Sequence, residues 1–218
     1  MTRYDFLVDT YRTERLKVLS VWSLLRDSDL AVRPKVDDRR GRSFLEQMVH
    51  QCVSEDFWFR TMLGIDVAAP PLPAEETHRG FVARYAEASG RRLAALERCD
   101  DDWWEADTDF FDTVRSRAWV MVRRVSHTSH HRGQQMAMLR MLGRDLYSNY
   151  GPTADTGGLM QDHAPVVYPY PDLNVLLRDD RKTPLPDPVD RPVTRRVGRD
   201  FSRGVPCARR TERRRLAE

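Results

Sequence analysis

A long helical segment in the second half of the chain places two histidines on one of its faces. Apolar residues recur there with the spacing of an amphipathic helix. They are Trp119, Val120, Val122, Val125, Met136, Met138, Leu139 and Leu142. Each helical residue advances by about 100°, so His127 and His131 lie about 40° apart around the axis. Two imidazoles at this spacing can hold one divalent metal ion.

The chain has six histidines, and three of them, His127, His130 and His131, fall within five residues. His130 points to a neighbouring sector of the helix, where it can orient a ligand or bind solvent, so it is the weaker candidate. His50 lies in another amphipathic segment and can complete a site of three nitrogens. The alternatives are a solvated or buried histidine pair, and a His50 that is a hydrogen-bonded core residue.

The HxxxHRGQ motif that begins at His127, together with an isolated helical histidine upstream, resembles the DinB / YfiT-like metalloprotein superfamily. The resemblance covers residues 1–150 and extends towards residue 172. It implies a four-helix bundle with a three-histidine site for a divalent metal. His50 matches the upstream ligand, and His127 and His131 match the downstream pair. The superfamily includes thiol-dependent transferases and isomerases, and many proteins without a known activity.

Four amphipathic segments account for most of the first 150 residues. We expect helices from Thr2 to Arg26, from a Ser43 cap to Gly64, from Ala74 to Arg98, and from Phe111–Thr113 to Leu142. The second helix has the clearest start, because Ser43 and Glu46 have the spacing of a capping box. With no strand signal, the pattern predicts an all-α fold, an antiparallel four-helix bundle over residues 1–150.

The helical periodicity stops after Gly143, and an irregular C-terminal extension follows. We expect residues 151–173 to form an extended segment that packs on the bundle through its aromatic side chains. We expect residues 174–218 to be a disordered basic tail. That tail has 13 Lys and Arg against 7 Asp and Glu, a net charge of +6, so residues 1–173 carry −3. The folded part is therefore not expected to bind nucleic acid specifically.

The sequence also indicates the compartment. No apolar run is long enough to span a membrane, and the N-terminal residues are too acidic for a signal peptide. Cys52, Cys99 and Cys207 are odd in number and widely spaced, which suits a reducing environment better than a disulfide framework. We therefore expect a cytoplasmic protein without a membrane partner.

Several residues close to the histidines have two interpretations. Glu46 can orient a histidine one turn away or act as a base, but its capping role is the favoured interpretation. Arg123, Arg124 and Arg132 can attract an anionic substrate towards a metal, or they can simply be solvated. Gly133 is expected where another helix packs closely, because glycine otherwise weakens a helix.

Three further features are expected to be structural. Cys52 is interpreted as a small core residue, because it lies on a different side of its helix from His50. His78 is interpreted as solvent-exposed and not as a ligand. The acidic and aromatic segment Asp100–Glu105 could look like a cation site, but we interpret it as a hydrated loop that buried tryptophan rings hold in place.

Three neutral imidazoles would leave coordination positions open for water or substrate, as in catalytic metal sites. The first hypothesis is a metal-dependent transferase or hydrolase that acts on a small-molecule thiol. The HxxxH pair has no glutamate beside it, unlike the HExxH hydrolases, which weakens the case for hydrolysis. The alternative is a non-enzymatic metal-binding stress-response protein that acts as a homodimer. Imidazole suits zinc, nickel, copper and iron alike, and the expected cofactor is a divalent ion such as zinc, nickel or iron.

Overall fold

A computed structural model describes residues 2–158, 160, 163–178 and 182–186, and these residues are mostly helical. The helices are α1 (Asp5–Trp22), α2 (Phe44–Thr61), α3 (His78–Leu96), α4 (Asp101–Glu105), α5 (Arg117–Met141) and α6 (Leu173–Arg178). Two short strands, β1 (Asp107–Phe110) and β2 (Thr113–Ser116), lie between α4 and α5. Single 3-10 turns occur at Asp27–Asp29 and Ala154–Thr156. None of the described helices is long and apolar enough to cross a lipid bilayer.

Side-chain caps set the starts of the long helices. The Ser43 hydroxyl accepts a hydrogen bond from the amide of Glu46, whose carboxylate accepts one from the Ser43 amide. This reciprocal pair confirms the predicted capping box. Thr77 and Ser116 cap α3 and α5 with their hydroxyl oxygens alone, each accepting from an amide three residues on. Each cap satisfies an amide that has no partner within its helix.

The four long helices share two apolar clusters. Helix α1 packs against α3 and α5, and α2 packs against the same two helices. One cluster contains Trp22, Phe44, Phe81 and Leu139. The second contains Phe59, Trp104 and Val120 among its buried members. Because each long helix contributes to at least one cluster, the burial of apolar surface fixes how α2 and α5 face one another.

The expectation of an all-α fold is wrong at one place, because β1 and β2 form a two-stranded antiparallel hairpin. The fourth helix expected from the sequence is α5. It begins at Arg117, where Ser116 caps it, and not at Phe111–Thr113. The reason is aromatic packing across the fold. The Phe110 ring lies edge-on to Trp58 at 5.2 Å and to Trp119 at 5.0 Å. Such long-range contacts hold the chain extended where the local sequence gives little strand signal.

The acidic segment before the hairpin is also more regular than expected. Residues Asp101–Glu105 form the short helix α4, which the Asp100 side chain caps. Trp104 is fully buried, which confirms the predicted pinning by a tryptophan ring. The carboxylates of Asp101 and Glu105 pair with Arg3 on the surface. The segment is therefore a capped helical turn and not an irregular hydrated loop.

The C-terminal extension packs on the helices further along the chain than the sequence predicts. Tyr170 and Leu176 are both buried in the first apolar cluster. Residue 173 begins the helix α6, so the predicted disordered tail cannot start at residue 174. The Thr183 amide donates to the Pro169 carbonyl, and its own carbonyl accepts from the Tyr147 hydroxyl, both at 2.8 Å. The rest of the predicted tail lies outside the described residues.

Candidate metal centre

The three predicted ligands meet at one point between two helices. His50 lies on α2, and His127 and His131 lie one turn apart on α5. The Nε2 atom of His127 is 3.2 Å from Nε2 of His50 and 3.3 Å from Nε2 of His131. One ligand atom from each of the three residues lies within 4.8 Å of the other two. The structure thus brings together residues from positions that are far apart in the sequence.

These separations fit a shared metal ion. With Zn–N bonds of 2.0–2.1 Å at tetrahedral angles, two ligand nitrogens should be about 3.3–3.4 Å apart. The Nδ1 atoms of His127 and His131 are buried and have no hydrogen-bond partner among the described residues. No group in the described part of the chain therefore holds the proton on Nδ1 of these two rings. A cation at the shared point would make Nε2 the electron-pair donor of each ring.

The surroundings of the centre keep the histidines neutral. Burial, followed by the charge of Arg124, lowers the pKa of His127 to about 3. Burial and the neighbouring His50 and His130 lower the pKa of His131 to about 4. Burial and the charge of Arg42 also lower the pKa of His50. The neutral imidazole is the form that binds a metal, and the lowered pKa values keep these three rings in that form at neutral pH.

Aromatic stacking and a buried arginine support His127. The Trp58 ring stacks on the His127 ring, with centroids 5.8 Å apart and planes inclined by 26°. The Arg124 guanidinium lies over the Trp58 ring, 5.4 Å from its centroid. Arg124 in turn donates to Ser54 at 3.0 Å and to Thr128 at 3.1 Å. The orientation of His127 therefore depends on packing that involves both α2 and α5.

Neither interpretation of Arg124 from the sequence is correct, because its side chain is only 1% exposed. It lies 4.0 Å from the Glu55 carboxylate inside the helical core. That carboxylate also accepts hydrogen bonds from Tyr11 at 2.7 Å and Tyr85 at 3.1 Å, and it pairs with Arg92. A buried carboxylate requires such partners, and they lie on three other helices. Arg124 is thus a structural residue.

Arg132 is also structural, since its side chain is fully buried and forms an ion pair with Glu14 of α1. The Glu14 carboxylate accepts a further hydrogen bond from Ser129, and Arg132 donates to the Tyr150 hydroxyl at 2.8 Å. Arg123 is exposed, as one of the two interpretations required. The expected close packing at Gly133 is wrong, because a Cβ there would meet no heavy atom within 4 Å.

Other predicted residues lie outside the centre. His130 is exposed, and its Nε2 atom lies 3.1 Å from the Gln134 amide nitrogen. The Glu46 carboxylate bonds Ser43 and Arg33, which supports its capping role. Cys52 is buried as expected, and burial raises its pKa to about 12. His78 is less exposed than expected, with 19% of its side chain accessible and Nδ1 3.2 Å from Asp27.

The sequence did not reveal a groove of about 460 Å³ that is lined in part by His131. Its walls include Arg42 from the loop before α2 and Gln47 from the first turn of α2. Met138 and Met141 from the end of α5 line the opposite side. Gln47 is three residues before His50, so helical spacing alone could have placed it near the site. No comparable signal marks Arg42, because the loop before α2 has no periodicity.

The fold and the sequence match known proteins. The sequence pattern of the DinB family matches residues 7–157 of this chain. A solved DinB-like protein from Bacillus cereus has a TM-score of 0.57 and 16% identity, and the match covers 66% of this chain and 95% of that one. The DinB-like protein YjoA from Bacillus subtilis has a TM-score of 0.50 and 12% identity, and the match covers 63% and 92%.

No curated protein matches the chain. The two solved structures share little sequence with it, so they show the fold and not the chemistry. The family match includes His50, His127 and His131, together with the helices that position them. The chain therefore belongs to the DinB family.

Proposed function

We propose that the chain binds one divalent metal ion, such as zinc, nickel or iron, through His50, His127 and His131. The observation that carries this proposal is the approach of three Nε2 atoms, with separations of 3.2 and 3.3 Å around His127. Three neutral imidazoles that meet at one point supply nitrogen ligands of the kind that divalent transition metals prefer. We also propose that α1, α2, α3 and α5 form the antiparallel four-helix bundle expected from the sequence.

The favoured activity is that of a metal-dependent transferase acting on a small-molecule thiol. A bound divalent metal would supply an activated thiolate or water. The three histidines would hold it from one side, and the groove beside His131 gives a path for a small molecule. Trp58 stacks on His127 and shields that ring from water. Hydrolysis is less well supported, because Glu46 is engaged with Ser43 and Arg33 and is not available as a base.

The test is the metal content of protein purified without a histidine tag. Wild type should retain about one divalent ion per chain, as three neutral imidazoles in one site require. His50→Ala and His131→Ala should each lose it. His130→Ala is the matched control, because His130 is adjacent to the site in sequence but exposed and bonded to Gln134. Wild-type protein that takes up no zinc, nickel or iron would contradict the proposal.

A specific observation supports the alternative, a non-enzymatic metal-binding stress-response protein that acts as a homodimer. Large apolar side chains are exposed near the hairpin, among them Phe57, Phe111, Trp119 and Val122. Phe111 is 65% exposed, and its ring lies 6.1 Å from Trp58. Exposed apolar patches of this kind often mark interaction surfaces. Analytical ultracentrifugation of wild type and Phe111→Ser would test this, since a dimer at this patch should dissociate in the variant.

One experiment separates the enzymatic from the non-enzymatic hypothesis. A screen of small thiols, each paired with an electrophilic acceptor, against the metal-loaded protein should detect turnover only if the chain is an enzyme, whatever its oligomeric state. We also propose a cytoplasmic location, which the unpaired Cys52 and Cys99 support. The localisation of a fluorescently tagged chain in intact cells would test that proposal directly.

A further inference from the structure

The groove beside the histidines has two chemically different walls. One wall comes from the loop before α2 and its first turn, with Arg40, Arg42 and Gln47. The other comes from the end of α5, where Ala137, Met138 and Met141 supply apolar surface. No carboxylate side chain is among the groove-lining residues that the structure describes. A ligand here would therefore meet positive charge on one side and flexible apolar groups on the other.

Arg42 is the charged group best placed to bind a ligand. Its side chain is exposed, and within the described part of the chain no ion pair involves it. Arg40 differs, because its guanidinium bonds the Asp38 carboxylate at 3.0 Å. His131, one of the three proposed metal ligands, lines the same groove as Arg42, so a ligand bound to Arg42 would lie beside the metal centre.

Gln47 provides a second, independent observation. Its side chain is only 2% exposed, and its amide nitrogen donates to the Arg42 carbonyl at 3.3 Å and contacts the Met138 sulfur at 3.2 Å. Its Oε1 atom is buried and has no hydrogen-bond partner among the described residues. A buried acceptor without a partner is costly. That oxygen is enclosed and does not face a ligand, so the contribution of Gln47 is to hold the Arg42 backbone against Met138 at the end of α5.

We propose that this groove binds the carboxylate of a small organic acid, with Arg42 as the docking group. The planar guanidinium can form two parallel hydrogen bonds with a carboxylate. The apolar part of the acid would lie on Ala137, Met138 and Met141. The inference rests on the proposed metal site, because His131 of that site also lines the groove. It narrows the small-molecule thiols proposed for that site to those that carry a carboxylate.

The test compares three ligands of equal length: hexanoate, hexanol and hexylamine. Binding to the protein as purified would be followed by the backbone amide shifts of residues 137–141. Hexanoate should bind about fivefold more tightly than hexanol, since an ion pair at an exposed site contributes modestly, and hexylamine should bind most weakly. The preference should vanish in Arg42→Gln. It should persist in Arg39→Gln, the matched control, because Arg39 is exposed in the same loop but does not line the groove.

Further measurements separate this inference from the metal proposal. His50→Ala should lose the metal but keep the preference for hexanoate, because His50 does not line the groove. If the preference disappears in His50→Ala and survives in Arg42→Gln, hexanoate binds the metal directly and the inference is overturned. If Arg42→Gln does not fold, the wild-type preference must decrease between 50 and 500 mM salt, as about one screened ion pair requires. Equal binding of all three ligands would overturn the inference while leaving the metal site intact.

Discussion

The three-histidine centre and the Glu55 cluster are both polar groups enclosed by the same helices, but they are satisfied in opposite ways. The Glu55 carboxylate has partners on every side: Tyr11, Tyr85, Arg92 and the nearby Arg124. The histidine centre has three nitrogen atoms of the same kind facing one another, and a shared cation would complete it. A buried cluster that completes its own bonds indicates structure, whereas one that lacks a component indicates binding.

The largest effect should come from breaking the cluster that is already complete. Glu55→Ala should lower the free energy of unfolding by about 3–5 kcal/mol, because it leaves Arg124 buried without a carboxylate and Arg92 with Asp56 alone. Urea denaturation at pH 7 measures this. Asp56→Ala is the control, since Asp56 also pairs with Arg92 but is more exposed. If Glu55→Ala proves no more destabilising than Asp56→Ala, the distinction between the two clusters fails.

The histidine centre should respond to metal and not to truncation alone. In the metal-free protein, His131→Ala should change stability far less than Glu55→Ala, because neutral rings facing one another contribute little. Free metal at a hundred times its dissociation constant should stabilise wild type by about 2.7 kcal/mol. Thermal unfolding with and without metal measures both effects. An equal response to metal in His131→Ala would show that the stabilising site lies elsewhere.

A pH titration should reveal the second buried ion pair, Glu14–Arg132. Burial opposes ionisation of Glu14, but hydrogen bonds from Arg132 and Lys17 outweigh it and lower its pKa. The pair should therefore stabilise the fold fully above the ordinary carboxyl pKa, and this contribution should be lost as pH falls through the lowered value. Denaturation between pH 3 and 7 should show a shallower acid loss in Glu14→Gln, which is less stable at pH 7. A wild-type slope in the variant would contradict this assignment.

The smallest effect should be a gain in stability. Gly133→Ala should stabilise the fold by about 0.5–1 kcal/mol, because Gly133 is exposed within α5 and a Cβ meets nothing nearby. Chemical denaturation would measure the gain. The expectation of close helix packing at Gly133 predicts the opposite sign, so destabilisation by alanine would restore it.

Local sequence signals predicted much of the fold and of the site. The Ser43–Glu46 cap and the one-turn spacing of His127 and His131 are local, and the structure places them as expected. The hairpin was missed because the contacts of Phe110 with Trp58 and Trp119 hold it in place, and no local pattern reports them. Arg124 and Arg132, beside the histidines, were misread for the same reason.

The arginines on α5 show how burial depends on distant partners. Arg132 pairs with Glu14, and Arg124 lies beside Glu55. A carboxylate on another helix therefore compensates the buried charge of each arginine. An arginine on a helix is ordinarily exposed, and its sequence neighbours do not reveal such a partner. The same limit applies to Arg42, whose place in the groove depends on the course of an irregular loop. Helical spacing predicts which residues share a face, but not what that face contacts.

The C-terminal extension, which the structure describes at residues 163–178 and 182–186, determines where this chain can be shortened. The family match ends at residue 157, yet Tyr170 and Leu176 are buried in the core beyond that boundary. Cutting at the family boundary would expose apolar surface on the remaining helices and remove the carbonyl of Thr183 that Tyr147 bonds. A fragment made for crystallisation should therefore extend at least to Pro186 and not stop at the edge of the region that the family match covers.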